Sequence, residues 1–144
     1  MCGIVSIHSS ENSLEEKSFE LDDMMKQIIH RGPDGEGKIY IKNQALLGHR
    51  RLAIIDLEHG QQPMVSEDNR YTLIFNGEIY NYLELRQLLI QKGVSFKTFS
   101  DTEVLLQMLI QFGVEALKKL NGMFAFIFHD RNENQWIAAR DPFG

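Results

Sequence analysis

Hydrophobic residues along the chain follow two periods, which together predict several strands interrupted by a few helices. Short runs rich in apolar, β-branched and aromatic residues are typical of strands. These runs cover residues 4–7, 38–41, 45–50, 52–55, 71–75, 123–130 and 135–140. The side chains of Phe124, Phe126 and Phe128 fall on one face of the sixth run, as expected for a half-buried strand. A turn at 131–134 would pair the last two runs.

The first helix is predicted from Leu21, Met24, Met25, Ile28 and Ile29, which recur at helical spacing. We interpret the two methionines as core filling rather than as ligands. Three glycines and a proline within residues 30–37 predict a tight loop that ends this helix.

A second helix is predicted from residue 82, because the apolar residues at 82, 85, 88 and 89 share one face. Asn81 is the expected N-cap and Gly93 the expected end. The pair Asn76-Gly77 would usually indicate a hairpin. Here it is followed by a helical pattern, so we expect it at a junction between a strand and a helix.

The third helix is predicted to begin at Ser100-Asp101-Thr102-Glu103, which has the S-x-x-E pattern of a capping box. A short helix should follow over residues 114–120 and end at Asn121-Gly122. Strand runs with interposed helices, and no strict alternation of strand and helix, indicate an α+β fold of layered sheet and helix. The 144 residues suit one domain, and no repeat or linker divides them.

Charge and composition exclude several classes of function. With 20 acidic and 15 basic residues and no basic run, nothing favours a nucleic-acid or anionic-membrane partner. The longest purely apolar run, 123–128, is too short to span a bilayer. The N-terminus shows no secretory signal pattern, and a single cysteine permits no internal disulfide, so the cytoplasm is the expected location. The five histidines lack metal-ligand spacing, so we expect them to be structural or solvated and predict no metal.

Cys2, the only cysteine, is the candidate nucleophile. If Met1 is removed, this residue carries both a sulfur and a free α-amine, whose ordinary pKa of roughly 8 suits a general base near neutral pH. An N-terminal nucleophile activated by its own amine is a known form of covalent catalysis. The alternative is a small buried residue that happens to follow the start methionine.

Seven short motifs in order resemble one known family. They are Met1-Cys2-Gly3-Ile4, His30-Arg31-Gly32-Pro33-Asp34, Gly48-His49-Arg50-Arg51-Leu52, Asn76-Gly77-Glu78-Ile79-Tyr80-Asn81, Ser100-Asp101-Thr102-Glu103, Asn121-Gly122-Met123-Phe124-Ala125 and Arg140-Asp141-Pro142-Phe143-Gly144. Together they resemble the N-terminal glutaminase domain of glutamine-hydrolysing asparagine synthetases, which are class II (N-terminal nucleophile) glutamine amidotransferases. The resemblance implies a four-layer αββα sandwich, in which two antiparallel sheets are flanked by helices.

The resemblance also implies roles for individual residues. Cys2 would be the nucleophile, and the Asn76 side chain with the Gly77 backbone N–H would form the oxyanion hole. The substrate would be free glutamine, with Arg51 on its α-carboxylate, Asp101 on its α-ammonium and Glu78 nearby. Leu52, Ala53, Ile54 and Ile55 would form one wall.

The physical reasoning alone leaves some of these roles open. Arg50 and Arg51 are strand neighbours that face opposite ways, and only the resemblance selects Arg51. Asp101 could simply stabilise a helix N-terminus, and Glu78 could be a solvated acid in the first turn of a helix. We expect residues 30–34 to shape the rim of the pocket near Cys2.

The chain stops after Gly144, whereas the family continues with more strands and with a synthetase domain that uses ATP and Mg²⁺. We therefore expect residues 1–144 to be a glutaminase domain that is incomplete at its C-terminus, without cofactors of its own. An unpaired sheet edge would then favour self-association into a homo-oligomer. Two alternatives stay open: a catalytically silent domain that binds glutamine or a partner, and the glutaminase domain of an amidotransferase with another acceptor.

Overall fold

The computed structural model describes residues 2–9, 14–53 and 60–144, and within these ranges the chain forms strands and helices of both predicted kinds. The strands are β1 (Gly3–His8), β2 (Gly35–Ile41), β3 (Ala45–Arg51), β4 (Met64–Val65), β5 (Tyr71–Ile79), β6 (Gly122–Asp130) and β7 (Gln135–Arg140). The α-helices are α1 (Ser18–Gln27), α2 (Tyr82–Gln91) and α3 (Asp101–Phe112). Short 3-10 helices cover Leu14–Lys17, Ile29–Arg31 and Gly113–Lys119.

The strands form two antiparallel sheets that pack face to face. One sheet has the order β1-β3-β2 and the other the order β4-β5-β6-β7. Helix α1 covers the outer face of the first sheet, and α2 and α3 cover the outer face of the second. The predicted α+β fold and its four-layer order are confirmed.

Side-chain alternation divides the strands between the layers. Ala45 and Leu47 of β3 pack with Ile74 of β5 between the two sheets. Their neighbour Leu46 points outward and packs with Leu21 and Met25 of α1. These two faces decide which later residues of β3 and β5 can reach the space between the sheets.

The layer between the second sheet and its helices holds the largest core. The predicted face of β6 is confirmed, because Phe124, Phe126 and Phe128 are all buried there. Leu105 and Leu109 of α3 pack against them. Helix α3 is thereby fixed across β5, with its N-terminus at one end of that strand.

Strand β5 is longer than predicted. It continues through Asn76-Gly77 to Ile79, so the strand ends four residues later than the sequence pattern suggested. The reason is pairing with β6, in which Asn76 lies opposite Ala125 and Gly77 opposite Phe124. A Cβ at Gly77 would collide with the Met123 carbonyl oxygen, so glycine is required there by the close approach of the strands.

The other strand boundaries also shift. Strand β2 begins at Gly35 rather than residue 38, because Gly35 pairs with Arg51 at the end of β3. The strand predicted over 52–55 is wrong at Leu52 and Ala53, which have left the sheet. Its remaining residues, Ile54 and Ile55, lie outside the described residues.

The first helix is shorter than predicted. Helix α1 ends at Gln27, and Ile29 begins a separate 3-10 turn. Met25 is buried as expected, whereas the side chain of Met24 is 38% exposed, so only one of the two methionines fills the core.

The predicted caps are confirmed only in part. The hydroxyl of Ser100 caps α3 by accepting from the Glu103 amide. The carboxylate of Glu103 does not return the bond as a capping box requires; it accepts from the amides of Lys97 and Thr98 instead. Asn81 precedes α2, but its side chain bonds the backbone of Lys119 and Asn121, which ties α2 to the start of β6.

The length and apolarity of a helix decide whether it can cross a bilayer. Within the described ranges, no helix combines the length and apolarity needed to cross a bilayer.

Candidate active site

A pocket opens where β1 begins, β3 ends and α3 starts. Its lining combines one thiol, one guanidinium, two carboxylates and several backbone groups, contributed by both sheets and by the N-terminus of α3. The lining residues are Cys2, Arg51, Leu52, Gly60, Gln62, Phe75, Gly77, Glu78, Ser100, Asp101, Thr102 and Met123.

Cys2 lies just before β1, on the side of the strand that faces the second sheet. Ile4, two residues later, packs between the sheets, so alternation directs Cys2 the same way. Its Sγ accepts from the Leu52 amide at 3.3 Å and lies 3.6 Å from the Leu52 carbonyl oxygen. The thiol is partly exposed and positioned against the backbone of the segment that follows β3.

The turn at residues 30–34 joins Cys2 to that segment. Arg31 Nε donates to the Cys2 carbonyl oxygen at 3.3 Å. Asp34 Oδ2 accepts from the Ala53 amide at 2.9 Å, and its own amide donates to the Arg51 carbonyl at 3.0 Å. The side chains of Arg31 and Asp34 and the Asp34 amide therefore link the backbone of Cys2 to that of Arg51 and Ala53, although residues 30–34 are not among those that line the pocket.

The faces of β3 separate the two neighbouring arginines. Arg51 has the same parity as Ala45 and Leu47, which face the second sheet, and it lines the pocket. Arg50 faces α1, where its Nε donates to the Met25 carbonyl at 3.2 Å and its guanidinium pairs with Glu36 at 2.8 Å. Of these two arginines, Arg51 is the one that lines the pocket.

One edge of β5 supplies backbone groups to the pocket. The N–H of Phe124 donates to the Asp141 carboxylate, and its C=O accepts from the Asp141 amide. Both bonds lie on the side of β6 away from β5. Gly77, the partner of Phe124, therefore turns its own N–H away from β6, on the same side as those of Phe75 and Ile79. The Phe75 amide donates to the Gln62 side chain and the Ile79 amide to Asp101 Oδ2. The Gly77 N–H lies between these two and points into the pocket.

Asp101 is a buried carboxylate at the first residue of α3. It is 6% exposed and accepts from the Ile79 amide at 3.0 Å. Burial raises the pKa of Asp101 above its ordinary value, and the nearby carboxylate of Glu78 raises it further. A cation in the pocket would relieve both effects.

Glu78 and Asn76 both belong to β5 rather than to a helix or a turn. The alternative for Glu78, a solvated acid in the first turn of a helix, is wrong because Glu78 belongs to β5, and Glu78 lines the pocket. Asn76 shares the parity of Ile74 and faces the other sheet. It lines an adjoining depression with Arg31 and Met123 rather than the Cys2 pocket itself, and its Oδ1 is buried without a hydrogen-bond partner in the described structure.

The remaining expected wall is only partly described. Leu52 lines the pocket, and Ala53 is held by Asp34 beside it. Ile54 and Ile55 lie outside the described residues. Of the expected residues, the pocket therefore brings together Cys2, Arg51, Leu52, Gly77, Glu78 and Asp101.

Sequence reasoning missed several lining residues, above all Gln62. Its segment reads as irregular, since a proline follows it, and nothing local marks its side chain as buried. Ser100 and Thr102 carried only a capping signal, although they flank Asp101 in the pocket. These residues become visible only once β5 and α3 are placed together.

His49 is a buried structural imidazole behind the pocket. It is fully buried, and its Nε2 lies 3.1 Å from the Phe75 carbonyl oxygen, which only accepts, so Nε2 carries the hydrogen. Burial lowers the pKa of His49 to about 4, and the charge of Arg51 also lowers it. Within the described ranges, no three His, Cys, Asp or Glu side chains are grouped to hold a metal ion.

We expect His49 to make the fold lose stability in mild acid. Between pH 6.5 and 4 the unfolded chain protonates this imidazole while the folded chain does not, so the free energy of unfolding rises with pH there. His49 should account for a decrease of about 3 kcal/mol in the free energy of unfolding as the pH falls from 7 to 4, measured by urea denaturation. His49→Gln keeps a donor for Phe75 and should show a flatter slope; an unchanged slope would contradict this role.

Comparison with known proteins identifies similar sequences over the whole chain. A family model described as a glutamine amidotransferase domain matches residues 1–144. The chain is 46% identical over 146 residues to asparagine synthetase (glutamine-hydrolyzing) 1 of Bacillus subtilis, covering 100% of this chain and 23% of that protein. It is 43% identical over 144 residues to a probable asparagine synthetase (glutamine-hydrolyzing) of Schizosaccharomyces pombe, covering 100% of this chain and 26% of that protein. The chain thus spans about a quarter of the length of these relatives.

Solved structures share the fold. Glutamine phosphoribosylpyrophosphate amidotransferase of B. subtilis, solved with ADP and GMP, superposes with a TM-score of 0.57 at 32% identity, over 71% of this chain and 24% of that one. A structure described as the allosteric regulatory enzyme of purine biosynthesis gives a TM-score of 0.58 at 31% identity, over 72% of this chain and 25% of that one.

Proposed function

The chain belongs to the glutamine amidotransferase domain family, and from this premise we propose that Cys2 hydrolyses glutamine to glutamate and ammonia. The observation that carries the proposal is that the thiol of Cys2, the guanidinium of Arg51, the buried carboxylate of Asp101 and Gly77 line one pocket together. The thiol can attack the side-chain amide of glutamine. The guanidinium and the carboxylate complement its α-carboxylate and its α-ammonium.

The proposed reaction begins after removal of Met1 frees the α-amine of Cys2. The amine takes the thiol proton, and the sulfur attacks the side-chain carbonyl carbon of glutamine. The resulting tetrahedral oxyanion collapses, its C–N bond breaks, and the ammonium proton passes to the leaving nitrogen as ammonia departs. Water then attacks the glutamyl-thioester, which releases glutamate and restores the thiol.

The Gly77 N–H is the proposed main donor to the oxyanion. Its direction into the pocket supports this role, because donors fixed where negative charge develops typically contribute about 10²–10³ in rate. The Asn76 side-chain amide is the proposed second donor. Its support is narrower: by strand alternation it faces the same space between the sheets as Cys2.

The proposed substrate contacts fix the amino-acid end of glutamine. The Arg51 guanidinium would pair with the α-carboxylate, for which its planar fork is suited. Asp101, with Glu78 nearby, would bind the α-ammonium, and this cation would offset the burial that raises the pKa of Asp101. Backbone groups of Leu52, Ala53, Ile54 and Ile55 would complete one wall.

We further propose that residues 1–144 are the amidotransferase domain of a longer protein. The relatives that support this are named as glutamine-hydrolyzing asparagine synthetases, and the chain covers about a quarter of each. In such a protein the ammonia would pass to a synthetase domain that uses ATP and Mg²⁺ to convert aspartate to asparagine. This domain itself would need only glutamine and water.

The direct test is glutamine turnover by chain whose intact mass shows the loss of Met1. We expect glutamate and ammonia to form in a 1:1 ratio. Chain that retains Met1 should show no turnover of glutamine. Asparagine, which is shorter by one methylene, is the matched control substrate and should be hydrolysed at least about tenfold more slowly. Binding of glutamine without turnover would contradict the proposal and favour a silent glutamine-binding domain.

A further inference from the structure

The edge of β5 that faces the pocket is covered by a strand for only part of its length. Strand β4 pairs with Thr72 and Leu73 and then ends. The next residue whose backbone faces this edge is Phe75, which is 1% exposed. Without a further partner, its N–H would be buried and unpaired, which native proteins avoid, and its C=O would keep only the bond from His49.

The side chain of Gln62 supplies that missing partner. Its Oε1 accepts from the Phe75 amide at 2.6 Å, and its Nε2 donates to the Phe75 carbonyl at 3.0 Å. A primary amide carries an acceptor oxygen beside an NH₂ group with two donors, so one side chain can bond both the N–H and the C=O of a neighbouring strand residue. Gln62 therefore extends the sheet by one residue pair beyond β4.

The same side chain connects three elements that carry the proposed site. The Nε2 of Gln62 lies 3.4 Å from the Thr102 hydroxyl, beside Asp101 on α3. The Phe75 carbonyl that it binds also accepts from His49 on β3, two residues before Arg51. Gln62 itself is 8% exposed, so these bonds form away from bulk water.

We infer that Gln62 is a positioning residue that holds the Gly77 N–H in place for the oxyanion. This inference rests on the proposed function. Gly77 is the next residue along the same edge, and Ile79 beyond it is held by Asp101. The Gly77 N–H is thus fixed from both sides, by Gln62 through Phe75 and by Asp101 through Ile79. Because the bonds to Phe75 are shorter than the contact with Thr102, loss of Gln62 should disturb β5 more than Asp101.

The test replaces Gln62 with residues of similar length. Gln62→Glu keeps the acceptor and removes the donor, while Gln62→Met removes both and introduces no charge. The exposed neighbour provides the matched control, Gln61→Glu, which adds the same charge one residue away. We expect both Gln62 variants to lose about 10- to 100-fold in kcat for glutamine with KM within about threefold, because a misplaced donor affects the transition state. The control should keep both constants.

Two further measurements separate positioning from general destabilisation. Alkylation of Cys2 by iodoacetamide forms a C–S bond and expels iodide without an oxyanion, so its rate should be unchanged in the Gln62 variants. In Gln62→Glu, a protonated carboxyl can again donate to the Phe75 carbonyl. The ratio of variant to wild-type kcat should therefore rise as the pH falls from 7 to 5.

The outcomes also distinguish this inference from the proposed function. Absence of turnover in the wild type would refute the proposed function. Wild-type turnover with an unchanged kcat in folded Gln62 variants would refute only the positioning role, as would a parallel loss in alkylation. If Gln62→Glu fails to fold, Gln62→Met gives the same comparison of kcat, KM and alkylation.

Discussion

Replacing Cys2 with alanine should reduce glutamate release from glutamine by about 10⁴-fold or more in kcat. The thiol is the only sulfur nucleophile in the chain, and the thioester cannot form without it. Water attacking glutamine directly would keep only the contribution of the remaining donors and of binding. The measurement is a coupled assay of glutamate, with ammonia determined in parallel.

The variant should remain folded and should still bind glutamine. The side chain of Cys2 is partly exposed, and its described bonds are those to the Leu52 backbone, so its removal disturbs no core packing. We expect the Kd for glutamine, measured by calorimetry, to stay within about threefold of wild type. Cys2→Ser, which keeps a hydroxyl beside the same amine, should retain a small residual rate. Turnover that survives in Cys2→Ala would remove Cys2 from the mechanism.

The fold was predictable where local pattern and final packing agree. The face formed by Phe124, Phe126 and Phe128 is visible in the sequence because strand side chains alternate, and the structure buries all three. The Ser100 cap is visible for a similar reason, since its donor, the Glu103 amide, lies three residues away. Both features depend only on neighbours along the chain.

The length of β5 was not predictable in this way. Asn76-Gly77 has the local signature of a turn, yet its backbone continues in a strand because β6 lies alongside. Glycine is needed at position 77 because a Cβ would collide with Met123, more than forty residues away in the chain. It is not needed for a change of chain direction. Tertiary pairing here overrides the local preference.

The candidate site shows the same division. Its charged and nucleophilic groups could be identified from residue type and resemblance, and the pocket brings most of them together. Gln62 could not, because its importance depends on an uncovered stretch of a distant strand. Its segment has no periodicity from which burial could be inferred.

The two neighbouring arginines provide the sharpest test of the substrate-binding geometry. We expect Arg51→Met to lower kcat/KM for glutamine roughly 30- to 1000-fold, because the α-carboxylate would lose its charged partner. This corresponds to a loss of about 2–4 kcal/mol of transition-state stabilisation. Most of this loss should appear in KM, since the contact is present in both the ground state and the transition state. Steady-state kinetics across a wide range of glutamine concentrations would measure it.

Arg50→Met is the matched control, because the same side chain is changed on the opposite face of β3. Arg50 binds the Met25 carbonyl and Glu36, so its loss should lower the melting temperature through the contact with α1. Its kcat/KM for glutamine should stay within about threefold of wild type, since nothing in the pocket is altered. Equal effects of the two substitutions on KM would show that the face of β3, and with it the proposed orientation of glutamine between Arg51 and Asp101, has been assigned wrongly.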